Sequence, residues 1–147
     1  MKQELVNKLK YKYPKILSGT GLCVGDGWYW LLDNLCLSLK FDIANNEYPQ
    51  IEAIQIKEKF GGLRFYVAGS NSKQQESIDF ACSLSLHICE ECGSHKNVSQ
   101  TSGWIRTLCS KCLSKLKFQN YCYKLKRIFL IDKVIWEFYK FRRRFIK

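Results

Sequence analysis

Residues 51–68 read IEAIQIKEKFGGLRFYVA, and this stretch decides the fold. Two runs rich in β-branched and aromatic residues, 51–60 and 63–68, flank Gly61-Gly62. Paired glycines between such runs are a two-residue hairpin signal. With Gly61 and Gly62 as turn residues, Phe60 faces Leu63, Lys59 faces Arg64, Glu58 faces Phe65, Lys57 faces Tyr66 and Ile56 faces Val67. Alternation then sorts the faces. Ile56, Phe60, Leu63, Phe65 and Val67 share an apolar face, with Glu58 among them. Lys57, Lys59, Arg64 and Tyr66 share the other. Lys59 opposite Arg64 is a like-charge pair, which costs up to about 1 kcal/mol. Glu58 on an apolar side needs a partner, and Arg106 is the candidate. The cationic face has two readings. It is a patch for an anion or a macromolecular partner, with Tyr66 as a flat neighbour, or it is a solvated outer face.

Working outward, the flanks are helical. Leu5, Leu9 and Tyr13 recur four apart, so residues 3–13 read as a short helix ended near Pro14. Residues 18–27, SGTGLCVGDG, hold four glycines and read as a turn. They are not a phosphate cradle, since Val24 stands where a third spaced glycine is needed and no strand precedes. Asp26 is an N-cap candidate for the next helix. Trp28, Leu31, Leu32, Leu35 and Leu39 form one helical stripe, giving a helix over 28–40. Ser72 with Gln75 reads as a capping box opening a helix over about 73–87, with Ile78, Ala81, Cys82 and Ser85 as its stripe. The body, residues 1–88, is therefore expected to be α+β: helices around a hairpin at 51–68.

Downstream, Cys89-Glu-Glu-Cys92 and Cys109-Ser-Lys-Cys112 are separated by sixteen residues. This is the spacing of a four-thiolate zinc site. A two-residue gap lets one tight turn aim two sulfurs at a tetrahedral ion, and a second turn completes the shell. Gly93 suits such a turn. Four sulfurs leave no place for water, so Zn2+ here is expected to be structural. Residues 89–112 thus form a zinc-ribbon-like element. His87 and His95 flank it without being needed as ligands. Cys23, Cys36, Cys82 and Cys122 are dispersed in apolar settings and read as buried free thiols. Trp104 and Arg106 have structural readings beside the metal; a binding aromatic is the alternative for Trp104.

The 147 residues suit one domain, or one with an appendage. Hydrophobic residues make up 46%, which excludes disorder throughout. The N-terminal residues MKQELVNKLK lack an apolar signal segment, and charges interrupt the apolar runs, so a cytoplasmic protein is expected. Eight cysteines in that setting point to thiols and metal rather than disulfides. The net charge of +11 is unevenly spread. Residues 1–105 balance 11 basic against 11 acidic side chains; residues 106–147 carry 13 basic against Asp132 and Glu137. Residues 113–147 also hold nine of the 21 aromatics. From about 128 onward they pattern as an amphipathic basic helix. It can dock on the body, lie on an anionic membrane surface, or bring Arg142, Arg143 and Arg144 to phosphates.

The motifs also carry a resemblance. Lys57-Glu-Lys-Phe-Gly-Gly-Leu-Arg-Phe-Tyr-Val67, Cys89-Glu-Glu-Cys92-Gly93 and Gly103-Trp104-Ile-Arg-Thr-Leu-Cys109, with Gly27-Trp28 and Leu31-Leu32-Asp33 upstream, resemble a widespread, functionally uncharacterised family of small proteins from bacteria and their phages. The resemblance covers about residues 25–112 and implies a shared fold and a bacterial or phage setting. Family members often place histidine where Cys112 stands, which preserves coordination. The basic tail lies outside the shared pattern.

No companion carboxylate or histidine stands by Glu58, and no nucleophilic Cys/His pair is evident, so no enzyme is expected. The expected function is a non-enzymatic, zinc-stabilised binding module, with nucleic acid as the first partner. The alternative is a protein-interaction factor of immunity or counter-defence type that occludes an acidic protein partner.

Overall fold

The computed structural model describes residues 1–123. Its order is α1 (Gln3–Lys12), α2 (Pro14–Leu17), β1 (Leu22–Cys23), a 3-10 turn (Asp26–Trp28), α3 (Tyr29–Asn45), β2 (Glu52–Lys59), β3 (Gly62–Ala68), α4 (Ser72–Ser85), β4 (Val98–Gln100) and β5 (Thr107–Cys109). Residues 110–123 are helical. The fold is α+β. One compact unit runs from Met1 to Cys112, and a second begins at Leu113. Residues 1–88 and 89–112, separate by sequence pattern, therefore share one unit. The basic amphipathic stretch from 128 onward, with Arg142, Arg143 and Arg144, lies outside the described residues.

Pro14 does end α1, but it then occupies the first position of α2, where its missing N–H costs nothing. Asp26 does not cap α3. Its carboxylate accepts the Lys2 backbone N–H at 2.7 Å and so holds the start of α1. The capping box of α4 is displaced by one residue. Asn71 is the N-cap, its side chain accepting from Gln74 N, while the Gln74 side chain accepts from Asn71 N. Gln74 is fully buried and also donates to Pro49 O, so tertiary packing selected that register.

The glycine-rich loop contains β1, which pairs in parallel with β2. The sheet order is β1-β2-β3. α4 lies by the outer edge of β3, where Ser85 Oγ accepts the Leu63 N–H at 2.9 Å. Covering an edge in this way blunts edge-to-edge pairing. The core gathers Leu9, Leu17, Trp28, Leu32, Leu39, Ile56, Leu63 and Ile78, all nearly or fully buried. Asp33 is buried with them and is satisfied by Tyr13 Oη at 2.8 Å and Lys12 Nζ at 2.9 Å. Burial first, and the Asp33 carboxylate second, push the Tyr13 phenol up, so it remains the donor.

The hairpin register differs from the expected one. Lys59 pairs with Gly62, Glu58 with Leu63, Lys57 with Arg64 and Ile56 with Phe65. The turn residues are Phe60 and Gly61, with φ of 54° and 72°. Positive φ at both central positions matches the twist that two-residue hairpin loops require. The displacement keeps the strand residues on their expected faces, because each pair slides by two, but it takes Phe60 off the apolar face into the turn, where it is exposed. Gly62 is instead the first residue of β3. A bulge between Ala53 and Gln55 then leaves Ile54 exposed.

Phenylalanine in the left-handed region is strained, by about 1–2 kcal/mol for an L-residue. Asparagine tolerates that region far better. Phe60→Asn is therefore expected to leave the fold intact and to stabilise it by about 0.5–1 kcal/mol. Thermal melts of the two proteins check this; a lower melting temperature for Phe60→Asn contradicts it.

Candidate metal centre

Cys89, Cys92, Cys109 and Cys112 come together, with all four sulfurs within 4.8 Å of one another. The Cys92 and Cys109 sulfurs are 3.7 Å apart. Four thiolates about 2.3 Å from a tetrahedral ion sit about 3.8 Å from each other, so the donor set fits such an ion. All eight cysteines are free thiols. His87 and His95 are exposed and lie outside the cluster.

Local structure explains the convergence. Cys89 and Cys92 flank a tight turn in which Gly93 N donates to Cys89 O at 2.9 Å, and Gly93 takes φ of 75°. Cys109 ends β5, which pairs antiparallel with β4, and Cys112 lies in the first turn of the helix that follows. The Cys112 backbone N–H supports the Cys109 sulfur and pulls its thiol down to about 7. Burial, then the neighbouring sulfurs, push the Cys112 thiol up. Thiols crowded this closely ionise together only when a cation is present to take the charge.

The cluster is wedged into the body from two sides. On one side, the backbone of Gly25–Trp28 lies against the first cysteine turn. Gly27 N donates to Glu90 O at 2.8 Å, and Trp28 Nε1 donates to Ile88 O at 2.9 Å. A Cβ on Gly27 would sit 2.1 Å from Cys89 O and 2.5 Å from Gly93 N. Only glycine permits that approach. On the other side, Thr107 Oγ1 donates to Gly61 O at 2.6 Å, and Thr107 O accepts from Glu90 N at 2.9 Å. Gln100 Nε2 reaches Phe60 O at 3.3 Å. The tip of the β2-β3 hairpin is thus fixed to β4 and β5.

Several expected partners change. Glu58 is half-buried and does not pair with Arg106; its Oε1 accepts the Gly61 N–H at 2.6 Å and closes the turn. Arg106 donates instead to Glu90 and Glu91, through Nε and Nη2. Glu90 is buried, and burial pushes its carboxyl above the ordinary range, with Arg106 opposing that rise. Glu90 Oε2 has no hydrogen-bond partner among the described residues. Trp104 does not pack over the cysteine cluster; it is 82% exposed. Cys23 is exposed rather than buried. Cys36 is buried, which pushes its thiol up to about 12.

Lys57, Lys59, Arg64 and Tyr66 lie on one face of the hairpin, with Lys57 directly opposite Arg64. Lys57 Nζ stands 6.0 Å from the Tyr66 ring centre and Lys59 Nζ 5.4 Å from that of Phe60. These are cation–π distances, and the Lys57 contact offsets some of the cost of its opposition to Arg64. Sequence patterning missed the neighbouring feature. A cleft of about 300 Å³ lies between the two hairpin tips, lined by Glu58, Lys59, Phe60, Gly103, Trp104 and Ile105. The one signal for it was the aromatic next to glycine at 103–104.

Gly27→Ala is expected to weaken metal retention, although every sulfur ligand is kept, because the added methyl drives the first cysteine turn away. Gly21→Ala is the control, since nothing lies within 4 Å of its Cβ position. Metal content after challenge with a graded chelator checks this. Equal retention by both variants contradicts it.

No protein-family model, curated protein or solved structure matches the chain.

Proposed function

We propose that this chain is a non-enzymatic binding module, stabilised by Zn2+, whose partner is nucleic acid. The observation that carries the reading is the outer face of the hairpin. It sets Lys57, Lys59, Arg64 and Tyr66 side by side on a support fastened to the metal centre through Thr107 and Gly61. Like charges placed opposite each other cost stability, and an anionic partner turns that cost into affinity. The excess of basic residues in the last 42 positions adds to the attraction. Four thiolates form a soft, closed donor set suited to zinc, and such sites contribute folding free energy outright. The resemblance to small bacterial and phage proteins favours a cytoplasmic setting. Among the described residues, no helix is long and apolar enough to cross a membrane.

A second reading has its own support. α3 exposes Trp30, Leu37 and Phe41 on one side, and α4 exposes Phe80. Exposed apolar faces of this kind suit a protein partner, which fits a factor that works by occlusion.

Zinc is expected at one ion per chain, and Cys89→Ser or Cys109→Ser should lose both ion and cooperative melting. Lowering the pH should release the ion, because protons compete for every sulfur. Well-folded protein without zinc contradicts this part. For nucleic acid, binding should fall steeply with salt, and Lys57→Glu, Lys59→Glu and Arg64→Glu together should shallow the log–log slope by about 2–3. The melting temperature should barely change, because these side chains make few structural contacts. Absence of any nucleic-acid affinity at about 50 mM salt, where such contacts are strong, overturns the reading in favour of a protein partner.

A further inference from the structure

The cleft between the two hairpin tips is built from costly choices. Phe60 holds a left-handed backbone at φ of 54° while its side chain is 65% exposed. A buried ring would explain such strain by packing; this one gains little from the fold. Trp104 presents a still larger apolar area to solvent. Strain and exposed aromatic surface concentrate where a ligand is gripped.

Neither ring sits on a loose loop. Thr101 Oγ1 donates to Trp104 O at 2.7 Å and accepts from Arg106 N at 2.9 Å, which closes the loop around Trp104. The Phe60 carbonyl is held by Gln100 and the Gly61 carbonyl by Thr107. The backbone from which the two rings project is therefore fixed before any ligand arrives. Such preorganisation lowers the entropic cost of binding.

We propose that this cleft takes an unpaired nucleobase between Phe60 and Trp104, so that the nucleic acid is recognised as a single strand. The inference rests on the nucleic-acid reading above and names the form of the partner. Flat aromatic walls carried on a fixed backbone select a ligand with an exposed π-face. A duplex offers its groove edges and backbone, while a single strand offers base faces. Charge divides the ligand in the same way. Glu58 lines the cleft and repels phosphate; Lys59, at the cleft's edge on the cationic face, stands over Phe60, with Lys57 and Arg64 farther along that face. The base enters and the phosphates stay outside, along the cationic face.

The test compares a short unstructured oligonucleotide with a duplex of the same sequence, using the full-length protein as purified. The single strand is expected to bind more tightly. Trp104→Ala and Phe60→Asn should each weaken single-strand binding about tenfold or more, the size of one lost stacking contact, and leave duplex binding unchanged. Trp104→Phe should retain most of the affinity, because a ring remains. Phe60→Asn should at the same time melt no lower than the parent, which a merely structural role for Phe60 does not allow. Single-strand binding indifferent to both substitutions overturns the inference, keeps the nucleic-acid reading, and leaves the cleft to an apolar side chain of a protein partner. Equal losses on single strand and duplex overturn it as well. No affinity for either form at low salt overturns both readings.

Discussion

The contact between Gly27 and the first cysteine turn is the constraint on which the rest depends. Two backbones approach there more closely than any Cβ permits. That approach lets Gly27 N reach Glu90 O, and it brings Trp28 Nε1 to Ile88 O. Trp28 is fully buried at the end of the 3-10 turn before α3, so the cysteine cluster is tied to the largest side chain of the core. Losing a Trp of that burial costs about 3–5 kcal/mol, a sizeable share of the stability of a domain this small. The body and the cysteine cluster belong to one compact unit, and the cysteine element is not an appended module.

The second link runs through Thr107. Its hydroxyl takes Gly61 O, and its carbonyl takes Glu90 N. One residue of β5 thus joins the hairpin tip to the first cysteine turn. Glu58 closes the same turn from within. The unfavourable local features gather here: the strained Phe60, the opposed Lys57 and Arg64, and the solvent-facing Trp104. Other stretches follow their local preferences, with Pro14 at a helix start and a full capping box at Asn71, although Glu47 also holds a left-handed backbone. Sequences that break their local rules tend to do so at functional or strained sites, and the hairpin tip gathers several such breaks together.

The chain itself determined a good deal. The hairpin, three helices and the four clustered cysteines follow from period, cap chemistry and cysteine spacing, each of which is read over short stretches. The two faces of the hairpin were also legible, because a displaced pairing of Phe60 and Gly61 keeps the alternation intact. What the sequence could not settle were choices between near-equal local options. Asn71 and Ser72 are both good caps, and buried Gln74 decided between them by reaching Pro49 O. Glu58 and Glu90 are both plausible mates for Arg106, and the fold brought Glu90 within reach. The glycines at 25 and 27 read as a turn, since nothing local announces the backbone they lie against. The aromatic cleft joins residues 40 or more positions apart, Phe60 with Trp104, and a two-residue β1 finds its partner only in parallel with β2. Local periodicity carries no record of such distant approaches; only packing, with its demand that every buried group find room and a partner, decided them.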